Sequence, residues 1–214
     1  MRVRFQNQME SLHRELISMG SLCEKAISAA VKAFLEGDQG MAEQAILYEQ
    51  EIDRAERDIE ALCMKLLLQQ QPVARDLRAI SSALKMISDM ERIGDQAADI
   101  AEIAPYIDNS TLPAVSHIAD MAHAASKMVR DSAASFVEKD LNMAQGVIQY
   151  DDVVDSSFLA VREELIAFLR SLESSAAHAL DLLMIAKYLE RIGDHAVNIA
   201  QWVICSITGE YRGQ

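Results

Sequence analysis

The chain has 214 residues, of which half are apolar and one quarter are charged, a composition that supports a sizeable core and argues against disorder. Its 20 Lys and Arg residues against 33 Asp and Glu give a formal net charge of −13. This balance argues against non-specific nucleic-acid binding, which depends on basic side chains meeting phosphates. With only 8 Gly and 3 Pro, sheets joined by many tight turns are not expected, and long helices are favoured.

The sequence has neither the pattern of an export signal nor that of a membrane span. No uncharged apolar stretch of about 18 residues occurs, and the first residues lack the apolar run of a signal peptide. The three cysteines, Cys23, Cys63 and Cys205, form no CxxC pair, which predicts free thiols rather than disulfides or thiolate metal sites. We therefore expect a cytoplasmic protein.

Chain-breaking residues divide the sequence into six helical segments. The breaks lie near residues 37–40, 72, 105–113, 139–142 and 171–175, and they leave segments of roughly 25 to 35 residues. Apolar residues of the third segment recur every three or four positions, which is the helical period. These residues are Ala83, Met86, Met90, Ile93, Ala97, Ile100 and Ala104.

The second half of the chain repeats the first. Asp53 recurs as Asp155, at an offset of 102 positions (155 minus 53), and ERIGDQAADIA, which begins at Glu91, recurs as ERIGDHAVNIA, which begins at Glu190. Other first-half residues recur at the first offset as well: Phe34, Glu36, Asp38, Met41, Ala42, Ile46 and Tyr48. A duplicated unit with three helical segments must bury its apolar faces within itself or against its copy.

The repeat and the helical period together predict an all-α fold. We expect six long helices in two tandem three-helix bundles, the first over residues 1–106 and the second over residues 107–214. The join lies where Pro105 and Pro113 flank a polar stretch. Short connections within each bundle make sequential helices antiparallel.

Acidic residues spaced by four recur on the second and third segments of both halves. A spacing of four keeps side chains on one helix face. A solvated surface is the ordinary meaning of such a face, but these acids recur, whereas Glu56 and Glu60 are replaced by Phe158 and Arg162 in the second half. The candidate residues are Glu49, Asp53, Glu91, Asp95, Asp99, Asp151, Asp155, Glu190, Asp194 and Asn198, the last standing where the first half has Asp99.

The paired acids predict a site for metal ions. Like charges four residues apart destabilise a helix, and two unit charges about 6 Å apart repel by about 3 kcal/mol at an effective dielectric constant near 20. Cations relieve that repulsion. Ligand sets made only of oxygen favour magnesium, manganese or iron, and zinc is also compatible with them.

A carboxylate-bridged enzyme is the alternative function for the same residues. Ferritin-like oxidases carry Glu-x-x-His on two helices, whereas this chain has one match, Glu10 with His13, that does not recur. His195 follows Asp194 where the first half has Gln96, and we expect the histidines to be ordinary surface residues. Phosphate-binding loops, dinucleotide fingerprints, nucleophile elbows and HExxH motifs are absent from the sequence. We therefore favour a protein without catalytic turnover.

Four arginines are candidates for partner binding. Arg75 and Arg78 follow a proline at the start of the third helix, where positive charge opposes the helix dipole. They are therefore expected to meet an acidic patch on this protein or on a partner. Arg92 and Arg191, inside the two ERIGD segments, can pair with neighbouring acids or with a partner, and pairing within the protein is favoured.

Two glycines recur inside the third helix of each half. Gly94 and Gly193 each cost about 1 kcal/mol relative to alanine in a helix interior. Close approach of a neighbouring helix or of a ligand explains that cost, and a helix contact is the simpler explanation.

The segments QPVARDLR, ERIGDQAADIAE and AKYLERIGDHAVNIAQ resemble the signatures of the PhoU family, and the resemblance extends over the whole chain. It implies a cytoplasmic, commonly dimeric protein of two three-helix bundles. It further implies a non-enzymatic negative regulator that couples the ATPase of a phosphate ABC transporter to the sensor histidine kinase of the phosphate two-component system. Multinuclear clusters, often of iron or zinc, are implied at the acidic motifs.

Residue by residue, the acidic motifs of the family match most of the candidate positions. Glu49 stands where the family tends to place Asp, and Asn198 gives the second half one charge fewer than Asp99 gives the first. The resemblance therefore allows the two sites to differ in metal count or affinity. The matching residues are Asp53, Glu91, Asp95, Asp151, Asp155, Glu190 and Asp194.

Overall fold

A computed structural model describes residues 2–70, 72–108, 112–170 and 176–210. Its six α-helices confirm the predicted all-α architecture, and no strand occurs in those ranges. None of the described helices is long and apolar enough to cross a membrane. The helices are α1 (Arg2–Glu36), α2 (Gln39–Gln70), α3 (Ala74–Ile103), α4 (Val115–Glu138), α5 (Leu141–Leu169) and α6 (Ala176–Thr208), with a short 3-10 turn at Ala104–Tyr106.

The helix ends lie at most of the predicted breaks. Breaks near 37–40, 72, 105–113 and 139–142 are confirmed, whereas residues 171–175 lie outside the described ranges. The predicted division between residues 106 and 107 follows the 3-10 turn, and it stays a prediction as a domain boundary.

The recurring aspartates at the start of α2 and α5 are helix caps. Asp38 Oδ1 accepts hydrogen bonds from the backbone amides of Gly40 and Met41, at 2.9 and 3.2 Å. Asp140 Oδ1 accepts from the equivalent two amides of the second half, at 2.9 and 3.0 Å. Such caps satisfy amides that have no partner inside the helix, and each is worth about 1 kcal/mol. Local capping thus explains why these acids recur.

The centre of the molecule is made by four helices, two from each half. α1 and α3 of the first half contact α4 and α6 of the second, while α2 and α5 lie on the outer sides. The apolar stripe predicted on α3 is buried throughout, which confirms that prediction. Arg130 Nη1 of α4 donates to Glu24 Oε2 of α1 at 3.0 Å, joining the two halves on the side away from α3 and α6.

Polar side chains join α3 to α6 across the two halves. Asp89 Oδ1 lies 2.9 Å from His195 Nδ1 and accepts a hydrogen bond from Asn198 Nδ2 at 3.2 Å. Farther along α3, Asp99 lies near Tyr188 and Arg191 of the preceding turns of α6, so the two helices run antiparallel. The expectation that the histidines are surface residues is wrong for His195, which is half-buried in this contact.

The recurring glycines lie at contacts with the second helix of their own half. A β-carbon on Gly94 would lie 3.1 Å from Ile52 Cδ1 and 3.3 Å from Ile52 Cγ2 of α2. A β-carbon on Gly193 would lie 3.0 Å from Asp151 Oδ1 and 3.6 Å from Val154 Cγ1 of α5. Helix contact therefore accounts for both glycines, as predicted from the sequence.

We expect Gly94→Ala to lower the free energy of unfolding by about 1 kcal/mol, because overpacking costs about 1–3 kcal/mol and the gain in helix propensity returns about 1 kcal/mol. Ile52→Val removes the nearest methyl group, so the double variant should be more stable than the sum of the two single effects. Urea unfolding of the four proteins measures this coupling. Additive effects would show that Ile52 does not limit the approach of the two helices.

Candidate functional site

The acids of the first half meet in the groove between α2 and α3. This first cluster consists of Glu49, Asp53, Glu91 and Asp95. Burial raises the pKa of Glu49, and the charges of Asp53 and Asp95 raise it further. Burial also raises the pKa of Glu91, followed by the charge of Asp95, while Arg92 lowers it. The structure therefore brings together the acid pairs that the sequence places on separate helices.

The equivalent acids of the second half meet between α5 and α6. This second cluster consists of Asp151, Asp155, Glu190 and Asp194. Burial first, and then the charges of Asp155, Asp194 and Glu190, raise the pKa of Asp151 from 3.8 to about 6. Burial and then Glu190 raise the pKa of Asp194. The absence of a side chain at position 193 lets the Asp151 carboxylate lie against α6.

Each cluster contains a cation from its own third helix. Arg92 Nη1 lies 2.9 Å from Asp95 Oδ2, and Arg92 Nε lies 3.4 Å from Glu91 Oε2, so Arg92 pairs within the protein as favoured from the sequence. Lys187 pairs with Glu190, and its Nζ lies 5.5 Å from the ring centre of Phe158. The sequence reasoning missed Lys187, whose only signal is its position one helical turn before Glu190.

Asp99 and Asn198 lie at the contact between the two halves. Burial raises the pKa of Asp99, as do Glu102 and Asp95, whereas Arg191 of α6 lowers it. The Asn198 amide donates to Asp89, so this side chain serves the contact between α3 and α6. Arg191 therefore occupies the position equivalent to Arg92, but its charge affects Asp99 of the first half.

The donor set of both clusters fits hard cations in its chemistry, because every candidate ligand is a carboxylate oxygen. Among the described residues, however, no group of three or more potential ligands converges closely enough to hold a metal ion. Ion binding at either cluster would therefore require the carboxylates to rotate toward one another. The attraction of a bound cation would have to exceed the mutual repulsion of the acids to bring about that rotation.

The remaining two candidate arginines lie far along α3 from the first cluster. Arg75 is exposed and Arg78 is half-buried, and both line a cavity with residues of the other half of the protein. They are therefore not part of either carboxylate cluster.

Comparison with known proteins identifies the family. A model of the PhoU domain matches the chain twice, at residues 16–104 and 118–203. The phosphate-specific transport system accessory protein PhoU homolog of Pseudomonas putida is 36% identical over 211 residues, which cover 96% of this chain and 81% of that protein. The chain belongs to the PhoU family. The PhoU homolog of Clostridium acetobutylicum is also 36% identical, with 96% of this chain and 95% of the relative covered.

Solved PhoU structures share the fold. The crystal structure of PhoU from Pseudomonas aeruginosa matches with a TM-score of 0.90 and 33% identity, and covers 96% of this chain and 100% of the other. The phosphate transport system regulatory protein PhoU from Streptococcus pneumoniae matches with a TM-score of 0.89 and 27% identity, over 98% of this chain and 100% of the other. The family predicted from the sequence motifs is thus confirmed, together with its two-bundle architecture.

We expect Asp151→Asn to raise the free energy of unfolding at pH 7 by about 1 kcal/mol, after allowing for solvent screening of this half-exposed carboxylate. The folded-state pKa is raised, so ionised Asp151 destabilises the fold above about pH 6, and this penalty disappears as the pH falls toward about 4. The advantage of the variant should therefore shrink by about half at pH 5.

Urea unfolding in the presence of a chelator measures this difference between the variant and the unmodified protein. Asp152→Asn is the matched control, because it removes a neighbouring charge from an exposed position. An equal gain from both substitutions would show that general charge reduction, rather than the environment of Asp151, controls stability.

Proposed function

We propose that this protein is a non-enzymatic regulator of phosphate uptake and of phosphate-starvation signalling. The observation that carries the proposal is the match of the PhoU domain to both halves, together with relatives that are phosphate-specific transport accessory proteins and cover nearly the whole chain. A helical scaffold with two similar faces suits an adaptor that contacts more than one protein. In this role the protein restrains starvation genes while phosphate is ample.

The proposed partners are the ATPase of a phosphate ABC transporter and the sensor histidine kinase of the phosphate two-component system. We propose that the protein acts in the cytoplasm as a homodimer. A net charge of −13 does not attract the protein to an anionic lipid surface. Contact with the membrane would therefore be made through these protein partners.

We further propose that the two carboxylate clusters bind divalent or trivalent metal ions, such as iron, zinc, manganese or magnesium. Support comes from the two acid pairs that face each other in each half and from the raised pKa values that burial and repulsion produce there. Glu91 and Asp95 would hold the ion in the first cluster, and Asp151, Glu190 and Asp194 in the second. A bound cation would neutralise charge and tie the second helix of each half to the third.

The alternative of a carboxylate-bridged enzyme gains no support from the described residues. His195, the histidine nearest the second cluster in sequence, has its Nδ1 atom 2.9 Å from Asp89 Oδ1, so this atom is occupied by the contact between α3 and α6. An adaptor without turnover therefore remains the better proposal.

Deletion of the gene should raise expression of a phosphate-starvation reporter in phosphate-rich medium, and the unmodified gene should restore repression. Complementation with Glu91→Gln/Asp95→Asn tests whether the first cluster serves signalling. Asp58→Asn/Glu60→Gln is the matched control, because it removes two exposed acids of α2. Unchanged reporter activity in the deletion strain would contradict the regulatory role.

Protein purified without chelators should contain bound metal by elemental analysis. We expect Glu91→Gln/Asp95→Asn to lose the metal of the first cluster, because both carboxylates are removed, while the Asp58→Asn/Glu60→Gln control retains it. Metal should also raise the melting temperature of the unmodified protein more than that of the cluster variant. Metal-free protein from such a preparation would contradict the metal proposal. It would not contradict the regulatory role, which the reporter experiment tests.

A further inference from the structure

One cavity of about 410 Å³ lies where the two halves meet at one end of the molecule. Its walls come from α1, the first turns of α3, the end of α4 and the end of α6, so neither half forms it alone. Its charged and titratable lining residues are Arg75, Asp76, Arg78, Lys139 and His13. Three permanent cations against one acid make this a positively charged cavity in a strongly acidic protein.

The basic groups of the cavity are partly removed from solvent. The Nε atom of Arg78 is buried and has no hydrogen-bond partner among the described residues. A β-carbon on Gly209 would lie 3.7 Å from Arg78 Cδ, Nε and Cζ, so the end of α6 covers this guanidinium group. A buried donor without an acceptor is destabilising, and an anion bound beside Arg78 would supply the acceptor that the described residues do not.

His13 lines the same cavity and is affected by the charge of Lys139. Burial lowers the pKa of His13, the charge of Lys139 lowers it further, and Glu10 has the opposite effect. The ring of His13 contacts the ring of Phe136 edge to face, with 5.8 Å between the ring centres. The side chain is therefore held at the wall of the cavity rather than free in solvent.

The backbone at Lys139 is in a conformation that normally favours glycine. Lys139 has a φ of 56°, and the equivalent residue of the first half, 102 positions earlier, is Gly37 with a φ of 66°. The left-handed conformation is common at the residue that ends a helix, but glycine usually occupies it, because a side chain there costs about 1–2 kcal/mol. The second half thus places a cationic side chain at the cavity where the first half uses the more stable glycine.

The cationic lining is not duplicated by the repeat. At the offset of the ERIGD segments, 99 positions (190 minus 91), the residue equivalent to Arg78 is Ala177. The equivalent of Lys139 is Gly37, as described above. A purely structural contact of the bundle would be expected at both ends of the molecule, whereas this group of cations occurs at one end.

We propose that this cavity binds a phosphoryl oxyanion, either free inorganic phosphate or the phosphate group of a small molecule. The excess of two positive charges matches a phosphate group, which carries a charge of about −1.5 to −2 at pH 7. Arginine is suited to such a group because its planar guanidinium donates two parallel hydrogen bonds. The volume is within the range of small-molecule sites and admits either source of phosphate.

This site is separate from the carboxylate clusters and does not depend on the proposed regulatory function. Its test is a binding measurement on the purified chain, whereas the regulatory role is tested by a reporter in cells. Failure of one experiment therefore leaves the other unchanged.

Isothermal titration calorimetry in a chloride buffer free of phosphate and sulfate provides the test. We expect saturable binding of inorganic phosphate with a Kd on the order of 1 mM or tighter. Titration with ATP identifies the source, since tighter binding of ATP than of phosphate indicates a phosphorylated small molecule and the reverse indicates free phosphate. Absence of saturable binding for both compounds would overturn the proposal.

Two variants locate the binding. Arg78→Gln should weaken binding about 10-fold, because it removes a charge-assisted donor. Lys139→Gly should also weaken binding, and it should leave the melting temperature unchanged or higher because glycine adopts the local backbone without strain. Loss of binding without loss of stability separates a ligand contact from a folding defect.

Arg162→Gln is the matched control, since Arg162 is an exposed residue of α5 that pairs with its neighbour Glu163. It should bind phosphate or ATP as the unmodified protein does. Equal affinities for the unmodified protein, Arg78→Gln and Lys139→Gly would overturn the assignment of the cavity, because the anion would then bind elsewhere.

Discussion

The close contact between the second and third helices of each half determines the arrangement of both carboxylate clusters. Gly94 leaves room for Ile52 in the first half, and Gly193 leaves room for Asp151 and Val154 in the second half. With the helices this close, acids that lie one turn apart on each helix face acids of the other. A side chain at Gly94 would press on Ile52, and one at Gly193 would displace the Asp151 carboxylate. The same contact thus stabilises the bundle and concentrates negative charge on its surface.

The close approach of these carboxylates lowers the stability of the fold. Arg92 and Lys187 each neutralise part of one cluster, but four acids share one such cation. Burial first, and then the neighbouring acids, raise the pKa of Asp151 to about 6, so its ionised form is destabilised in the folded protein. A fold selected only for stability would replace that carboxylate with a neutral residue. Cations at the clusters, as proposed above, would relieve this repulsion.

Duplication has provided two similar scaffolds whose side chains have since diverged. Asp89 of α3 contacts Asn198 of α6. The equivalent residues in the repeat are Tyr188 of α6 and Asp99 of α3, and these two also lie near each other. This divergence explains why Asn198 replaces an acid, because its amide donates to Asp89 in the contact between α3 and α6. The two ends of the molecule also differ, because the basic cavity occurs at one end only.

The sequence by itself determined the helices and the acid pairs on each helix. These features depend on residues within about one or two turns of each other, so the spacing of apolar, acidic and chain-breaking residues is sufficient to predict them. The repeat also predicted that both halves fold alike. The PhoU motifs predicted the family, which the comparisons confirmed.

Only the tertiary structure decided which helices of the two halves meet and what lies between them. The contact of His195 with Asp89 and the cavity lined by Arg78 and Lys139 join residues far apart in the chain. No local period encodes such contacts, because the same amphipathic helices can pack in more than one register. The packing of apolar faces across α1, α3, α4 and α6 selects one register, and the polar contacts follow from it.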